Sequence, residues 1–258
     1  MNQAAIILAA GQGSRMKSDL PKVAHQAAGS PMVEWVVRAA VEAGVSRVVL
    51  VVGHQQEVVR DLFDGAVYPI EYAVQTEQNG TGHAAQMAET ALAGFDGDVF
   101  VLVGDGPLLR GEVLKKVHER HVESGAAATI ATAVIPDPTG YGRVIRDEDG
   151  GFVGIVEQKD ATPDQLRVNE VNPSIYCFRA AALWDALGRV EASPTTGEFY
   201  ITDVPALLMR DGDLVEVVAV ADAHDALSVN TPEQLAEVDA ILRTRLNQSA
   251  GAGAGGEG

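Results

Sequence analysis

A chain of 258 residues in which hydrophobic residues make up 47% and are spread throughout is long enough to bury the core of one large α/β domain. It holds no apolar stretch near the roughly 20 residues of a membrane span. Met1-Asn2-Gln3 leads straight into a strand-length apolar run without the basic-then-apolar pattern of a leader, so a soluble, cytoplasmic protein is expected. A formal net charge of −17 repels nucleic acid and anionic membranes, and would repel a phosphorylated substrate too unless a divalent cation and local basic residues offset it.

The first apolar run, Ala4 to Ala10, stops at Gly11-Gln12-Gly13-Ser14-Arg15-Met16, and a second basic residue follows at Pro21-Lys22. Such a run ended by glycines predicts a buried strand feeding a tight loop. Without a Cβ, Gly11 and Gly13 are expected to adopt positive φ and let backbone N–H groups approach an anion, with Arg15 and Lys22 supplying full charge. A dinucleotide site would need a third glycine opening a helix and an acidic residue about twenty positions on, and a P-loop would need Lys-Ser or Lys-Thr after its last glycine. Neither pattern is present, and a polyphosphate loop of another kind remains.

Pro31, Met32, Trp35, Val36, Ala39, Ala40 and Ala43 predict an amphipathic helix ended by Gly44, and Val48 to Val52 a buried parallel strand. A helix over Val58 to Phe63 and a strand over Ile70 to Val74 continue the alternation of a doubly wound sheet. Gln75 to Ala84 then lies beyond a strand end, where open α/β sheets bind ligands, and leads into a helix expected to run through Ala93. The Gln75 amide suits the edge of a pyrimidine, Gly80 and Gly82 would admit main chain to a base, and the alternative is an ordinary turn with Thr81 as N-cap. The next strand, Val99 to Val103, ends in Gly104-Asp105-Gly106-Pro107, which puts a carboxylate where it can hold Mg²⁺ against phosphate oxygens or simply cap the loop.

After a helix over Val113 to Glu123 and a strand over Ala126 to Val134, the rhythm breaks at Pro136-Asp137-Pro138-Thr139-Gly140-Tyr141-Gly142. Arg143 to Arg146 and Phe152 to Val156, joined by an acidic turn, predict a β-hairpin insert over the cleft spanning about 136–178. Glu157 and Asn172 each border a strand and could bond sugar hydroxyls and an amide, although Glu157 to Asp160 also reads as a solvated charge cluster. Cys177, the sole cysteine, is expected to be a buried thiol in a strand. A helix through Met209, a strand over Leu214 to Val220, and a last helix capped by Thr231 with Pro232 at its first position and running to about Leu246 complete a domain of 1–247. The Gly/Ala-rich residues 248–258 are expected to be disordered.

Taken together, Leu8-Ala9-Ala10-Gly11-Gln12-Gly13-Ser14-Arg15-Met16 with Pro21-Lys22, Gln75 to His83, Gly104 to Leu109, Asp137 to Arg143 with Val156 to Asp160, and Gly197 to Asp203 resemble the N-acetylglucosamine-1-phosphate uridylyltransferase family of sugar-nucleotide pyrophosphorylases. The resemblance runs from about residue 4 to about residue 246. It implies a GT-A-like nucleotidyltransferase fold, α/β and Rossmann-like, with a mixed, mainly parallel sheet flanked by helices. It implies that Leu8, Ala10, Gly11, Gly13, Gln75, Gly80 and Thr81 bind the nucleotide and that Arg15 and Lys22 act on its phosphates. It further implies that Asp105 and Asn230 hold Mg²⁺ and that Gly142, Glu157 and Asn172 bind the amino sugar. UTP and N-acetylglucosamine 1-phosphate are the implied substrates, with no nucleic-acid or membrane partner and the oligomeric state open. Two departures lie near the sugar side: Asn172-Pro173-Ser174 where the family has Asn-Thr-Gly, and Gly106 where it has a larger residue. They keep a different sugar phosphate open, and a catalytically silent sensor is the alternative of another class. No hexapeptide repeats follow the last helix, so acetyl transfer, the family's second activity, is not expected of this chain.

Overall fold

Continuous apolar runs alternating with helix-periodic stretches build a sheet between two helical layers. In the computed structural model, which describes residues 2–68, 70–219 and 223–253, β1 (Gln3–Leu8) is followed by a short ribbon of β2 (Gln26–Ala27) and β3 (Ser30–Pro31). Then come α1 (Met32–Glu42), β4 (Arg47–Val52), α2 (Gln56–Asp61), β5 (Ile70–Val74), α3 (Thr81–Gln86), β6 (Asp98–Val103), α4 (Gly111–Ser124) and β7 (Ala128–Val134). The hairpin β8 (Gly142–Arg146) and β9 (Phe152–Val156) precedes β10 (Glu170–Asn172), β11 (Ile175–Arg179), α5 (Ala180–Leu187), α6 (Val204–Arg210), β12 (Val215–Ala219) and α7 (Pro232–Gly253).

The strands lie in the order β5-β4-β1-β6-β11-β7-β10-β8-β9, with β12 also on β7. Strands β5, β4, β1 and β6 are parallel, and β11 runs antiparallel between β6 and β7. Successive side chains face opposite sides of a strand. Thus Ala4, Ile6, Val49, Val51, Val99 and Val101 pack beneath α3, α5 and α6, whereas Ala5, Ile7, Val48, Leu50, Phe100 and Leu102 pack beneath α1 and α4. Cys177 is wholly buried in β11, and burial pushes its thiol pKa well up, as expected of a structural residue.

The register levels the parallel strands at their carboxyl ends: Leu8 stands opposite Val51 and Val103, and Val52 opposite Val74. The loops after β1, β5 and β6 therefore open onto one rim. Against this edge stands α7, whose Val238 and Leu242 pack on Met16, Met32 and Leu108.

Four expectations are modified. The segment after Thr81 is α-helical only through Gln86; beyond it most of the bonds step back three residues, as from Ala88 N to Ala85 O at 3.1 Å, while Ala84, Ala85, Ala88 and Leu92 keep facing the sheet. Ile175–Arg179, placed within the insert by sequence, lies at the centre of the main sheet. With β10 it forms one bent strand against β7, in which the five steps from Val171 to Tyr176 oppose the three from Ala133 to Ile130. The surplus is a bulge at Pro173-Ser174, where Ser174 takes φ 59°. Beyond the bulge the strand's other neighbour is β6; before it, β8. Finally, α7 continues past Leu246 to Gly253, into the stretch expected to be disordered, and 254–258 lie outside the described residues, as does Val220 of the predicted strand.

Candidate active site

A cleft of about 280 Å³ opens on that rim, lined by Leu8, Ala10, Gly11, Lys22, Val23, Gln75, Gln78, Gly80, Thr81, Ala84, Val103, Asp105 and Glu198. Its floor is the main chain after β1. The Ala10 carbonyl accepts from Gln78 Nε2 at 2.9 Å and from His54 N at 3.4 Å, which holds the strand end against the loops after β5 and β4. Only Gly13 of the two loop glycines takes positive φ, at 68°. A Cβ there would lie 2.4 Å from Lys22 Cβ, so Gly13 makes room for the stem of Lys22, whereas Gly11 faces open space.

The loop after β5 is held by a strap from the distant segment Phe199–Ile201. Phe199 N donates to Asn79 O and Gly82 N to Phe199 O, each at 2.8 Å. Gly80 takes φ 101°, and a Cβ on it would come within 2.4 Å of Phe199 O. The bare Cα atoms of Gly80 and Gly82 thus leave room for the main chain of the strap. Thr81 is not the N-cap. Gly80 holds that position, and the Thr81 hydroxyl accepts from Ile201 N at 3.1 Å. Gln75 is buried, its Nε2 donating to Gly80 O at 3.1 Å, so the nitrogen side of its amide shapes the loop.

At the other end of the cleft, the Lys22 ammonium forms an ion pair with Asp105 Oδ2 and donates to Asn230 Oδ1 at 3.0 Å. Arg15 Nη2 donates to the same Asn230 oxygen at 2.9 Å. Asp105 O accepts from Val229 N at 2.9 Å, which couples the approach to α7 to the end of β6. Asn230 is fixed in turn by a capping box: Gln234 Oε1 accepts from Asn230 N at 2.7 Å and from Thr231 N at 3.2 Å, and Thr231 Oγ1 accepts from Gln234 N at 3.3 Å. All four residues assigned to phosphate and metal by resemblance therefore meet, although they are up to 215 positions apart.

Asp105 Oδ1 is buried with no hydrogen-bond partner, while Asp105 Oδ2 and Asn230 Oδ1 already converge on one cationic group. One carboxylate and one neutral oxygen suit Mg²⁺, which takes few protein ligands and completes its shell with water and phosphate. No group of three or more His, Cys, Asp or Glu among the described residues forms a self-sufficient metal cage.

The residues assigned to the sugar by resemblance form a second group. Gly142 pairs with Asn172 across β8 and β10, and a Cβ on Gly142 would lie 3.6 Å from Glu157 Oε1. Asn172 is buried with both ends of its amide engaged: Nδ2 donates to the Tyr176 hydroxyl at 2.6 Å and Oδ1 accepts from Ser174 N at 3.1 Å. Glu157 is not part of a solvated cluster. It accepts from Thr202 Oγ1 at 3.1 Å, and its pKa is raised by burial and by the neighbouring Asp203, Asp160 and Glu198, against the opposing Thr202 bond. Gln78, Glu198 and Thr202 were given no role by sequence reasoning. A signal existed for all three, since they lie within Gln75 to His83 and Gly197 to Asp203, two of the motifs that carry the resemblance; their partners show only in the fold.

A profile of the family described as the MobA-like NTP transferase domain matches residues 5–192. The chain belongs to that family. The matched part of this NTP transferase carries the cleft floor, Lys22, Asp105 and strands β8 to β10, and stops before Thr202 and Asn230. Among curated relatives, the bifunctional protein GlmU of Pelobacter propionicus is 49% identical over 247 residues, 96% of this chain and 54% of that protein. The same-named proteins of Geobacter metallireducens and Solibacter usitatus are each 48% identical, over 95% and 93% of this chain and 51% of their own length. The chain thus spans about half the length of these curated relatives. No helix among its described residues is long and apolar enough to cross a membrane.

Proposed function

We propose that this NTP transferase joins UTP to N-acetylglucosamine 1-phosphate, giving UDP-N-acetylglucosamine and pyrophosphate, in the cytoplasm. The observation that carries the reading is the meeting of Lys22, Asp105, Asn230 and Arg15 at the strand ends beside the Gln75–Gly82 loop. The resemblance set out above supplies the base and the sugar, and the similarity to proteins named GlmU supports them.

In this reading the uridine lies over Leu8, Ala10 and Gly11 and against Gln75, Gly80 and Thr81, with the triphosphate directed toward Lys22. A sugar phosphate oxygen attacks the α-phosphorus in line, the bond to the β-phosphate oxygen breaks, and that oxygen leaves with pyrophosphate. The attacking oxygen is already ionised at neutral pH, so no side chain has to remove a proton. Arg15 and Lys22 stabilise the negative charge gathered on the leaving pyrophosphate, and Gly13 keeps Lys22 on course. Asp105 and Asn230 would hold Mg²⁺, which when bound would supply neutralisation of phosphate charge. Gly142, Glu157 and Asn172 receive the sugar, Glu157 accepting from a hydroxyl.

The internal engagement of the Asn172 amide by Tyr176 and Ser174 favours one second reading, the same transfer to a different sugar 1-phosphate. Pyrophosphate release measured with each common nucleoside triphosphate against a panel of sugar 1-phosphates decides between them. Turnover confined to UTP and N-acetylglucosamine 1-phosphate, abolished by a chelator and lowered about 10²-fold or more in Asp105→Asn, is expected. Turnover with another sugar would support the second reading, and tight UTP binding with no turnover would favour the sensor over either.

A further inference from the structure

One segment touches both halves of the site. Phe199 and Ile201 are bonded to the base-side loop through Asn79, Gly82 and Thr81. The next residue, Thr202, is 2% exposed and donates its hydroxyl to Glu157 Oε1 at 3.1 Å. The turn Ile201–Asp203 is therefore clamped on one side to the nucleotide loop and on the other to the carboxylate assigned to the sugar. Glu157 follows β9 and Thr81 opens the helix after β5, and β9 and β5 are the two ends of the strand order.

We propose that Thr202 is a positioning residue that fixes the Glu157 carboxylate for the sugar phosphate and ties it to the loop that holds the base. The proposal rests on the transfer reaction assigned above. Its physical basis is the setting of Glu157. Asp203 stands beside it on the same turn, Glu198 on the strap, Asp160 in the loop after β9, and the buried Tyr176 hydroxyl on β11. Burial, Asp203, Asp160 and Glu198 disfavour the ionised carboxylate, and the hydroxyl bond from Thr202 is what opposes them. The Lys159 ammonium pairs with Glu198, at 3.6 Å. Loss of the Thr202 hydroxyl leaves Glu157 without its anchor and more readily protonated, and hence a poorer acceptor for a sugar hydroxyl. The main-chain bonds of Phe199 and Ile201 do not depend on that hydroxyl, so the base side is left intact.

The test compares Thr202→Val, which removes the donor, with Thr202→Ser, which keeps it. In Thr202→Val, KM for the sugar phosphate is expected to rise about tenfold, the scale of a lost hydrogen bond to a charged group, while KM for UTP stays within about twofold. The acid limb of kcat/KM for the sugar phosphate should move to higher pH, and Thr202→Ser should restore both. Equal effects on both substrates, or no recovery in the serine variant, would overturn the proposal. A second readout needs no turnover: the Glu157 carboxyl, carbon-13 labelled and assigned by its loss in Glu157→Gln, should titrate at higher pH in Thr202→Val than in the native protein or Thr202→Ser. An unmoved titration overturns the role of Thr202 whatever the substrate. Absence of turnover with every sugar phosphate, beside a titration that does move, would overturn the reaction and uphold Thr202.

Discussion

Glycine at position 80 shows how a residue chosen for one reason in a sequence can serve another in the fold. The absence of a side chain suggests close approach of a ligand, but the space is filled by Phe199 O, and φ of 101° excludes most other residues. Gly80→Ala should therefore lower stability by about 1–3 kcal/mol, the usual cost of a strained backbone residue, measured by urea denaturation. It should also loosen the loop over the base, so that KM for UTP rises more than KM for the sugar phosphate. A glycine facing open space such as Gly11 has no comparable neighbour to displace. Substitution there would burden the ligand, not the fold.

Among the elements, α7 is the one whose start matters chemically. Thr231 and Pro232 announced its beginning in the sequence, but the reciprocal Thr231–Gln234 pair also holds Asn230 N, and through it the oxygen shared by Lys22 and Arg15. Gln234→Ala should cost about 1 kcal/mol, as the loss of a helix cap does, seen as a lowered Tm. The Mg²⁺ concentration needed for half-maximal turnover should rise as well. Gln234→Glu, which retains the acceptor, should keep the cap. The bent strand formed by β10 and β11 makes the complementary point: Pro173-Ser174, met in the sequence as a departure from its family, is the bulge at which one strand changes neighbours from β8 to β6.

For the molecule as a whole, the end of the sheet remote from the cleft holds a buried polar knot. Asp98 Oδ2 bonds His118 Nε2 at 2.9 Å, Oδ1 lies 3.4 Å from His121 Nε2, and the two histidines reach Gln3 and Thr129. Burial alone would push the Asp98 carboxyl up, but the bonds from His118 and His121 hold it far below the usual carboxylate range. A carboxylate with a depressed folded-state pKa stabilises the fold above its unfolded pKa of about 4 and loses that contribution as pH falls below it. The Tm of Asp98→Asn should accordingly lie below that of the native protein above about pH 4, with the gap closing in stronger acid. A gap that is constant with pH would assign the effect to packing alone.

Strand positions, their burial, and the residues at the carboxyl ends of β1, β5 and β6 were legible in the sequence, because apolar period, glycine and proline act over a few neighbouring residues. That is why Ala10, Gly11, Gln75 and Asp105 could be placed on one rim, and why the hairpin β8–β9 was found within a residue. The contacts that turn this rim into a site were not legible. Lys22 meets Asn230 across 208 positions, Thr202 meets Glu157 across 45, and Ile201 meets Thr81 across 120. A hydroxyl or an amide carries no mark of its partner in the chain. The residues before and after it set its strand or turn, and only the register of the sheet and the packing of α7 and the strap decide which oxygen it reaches.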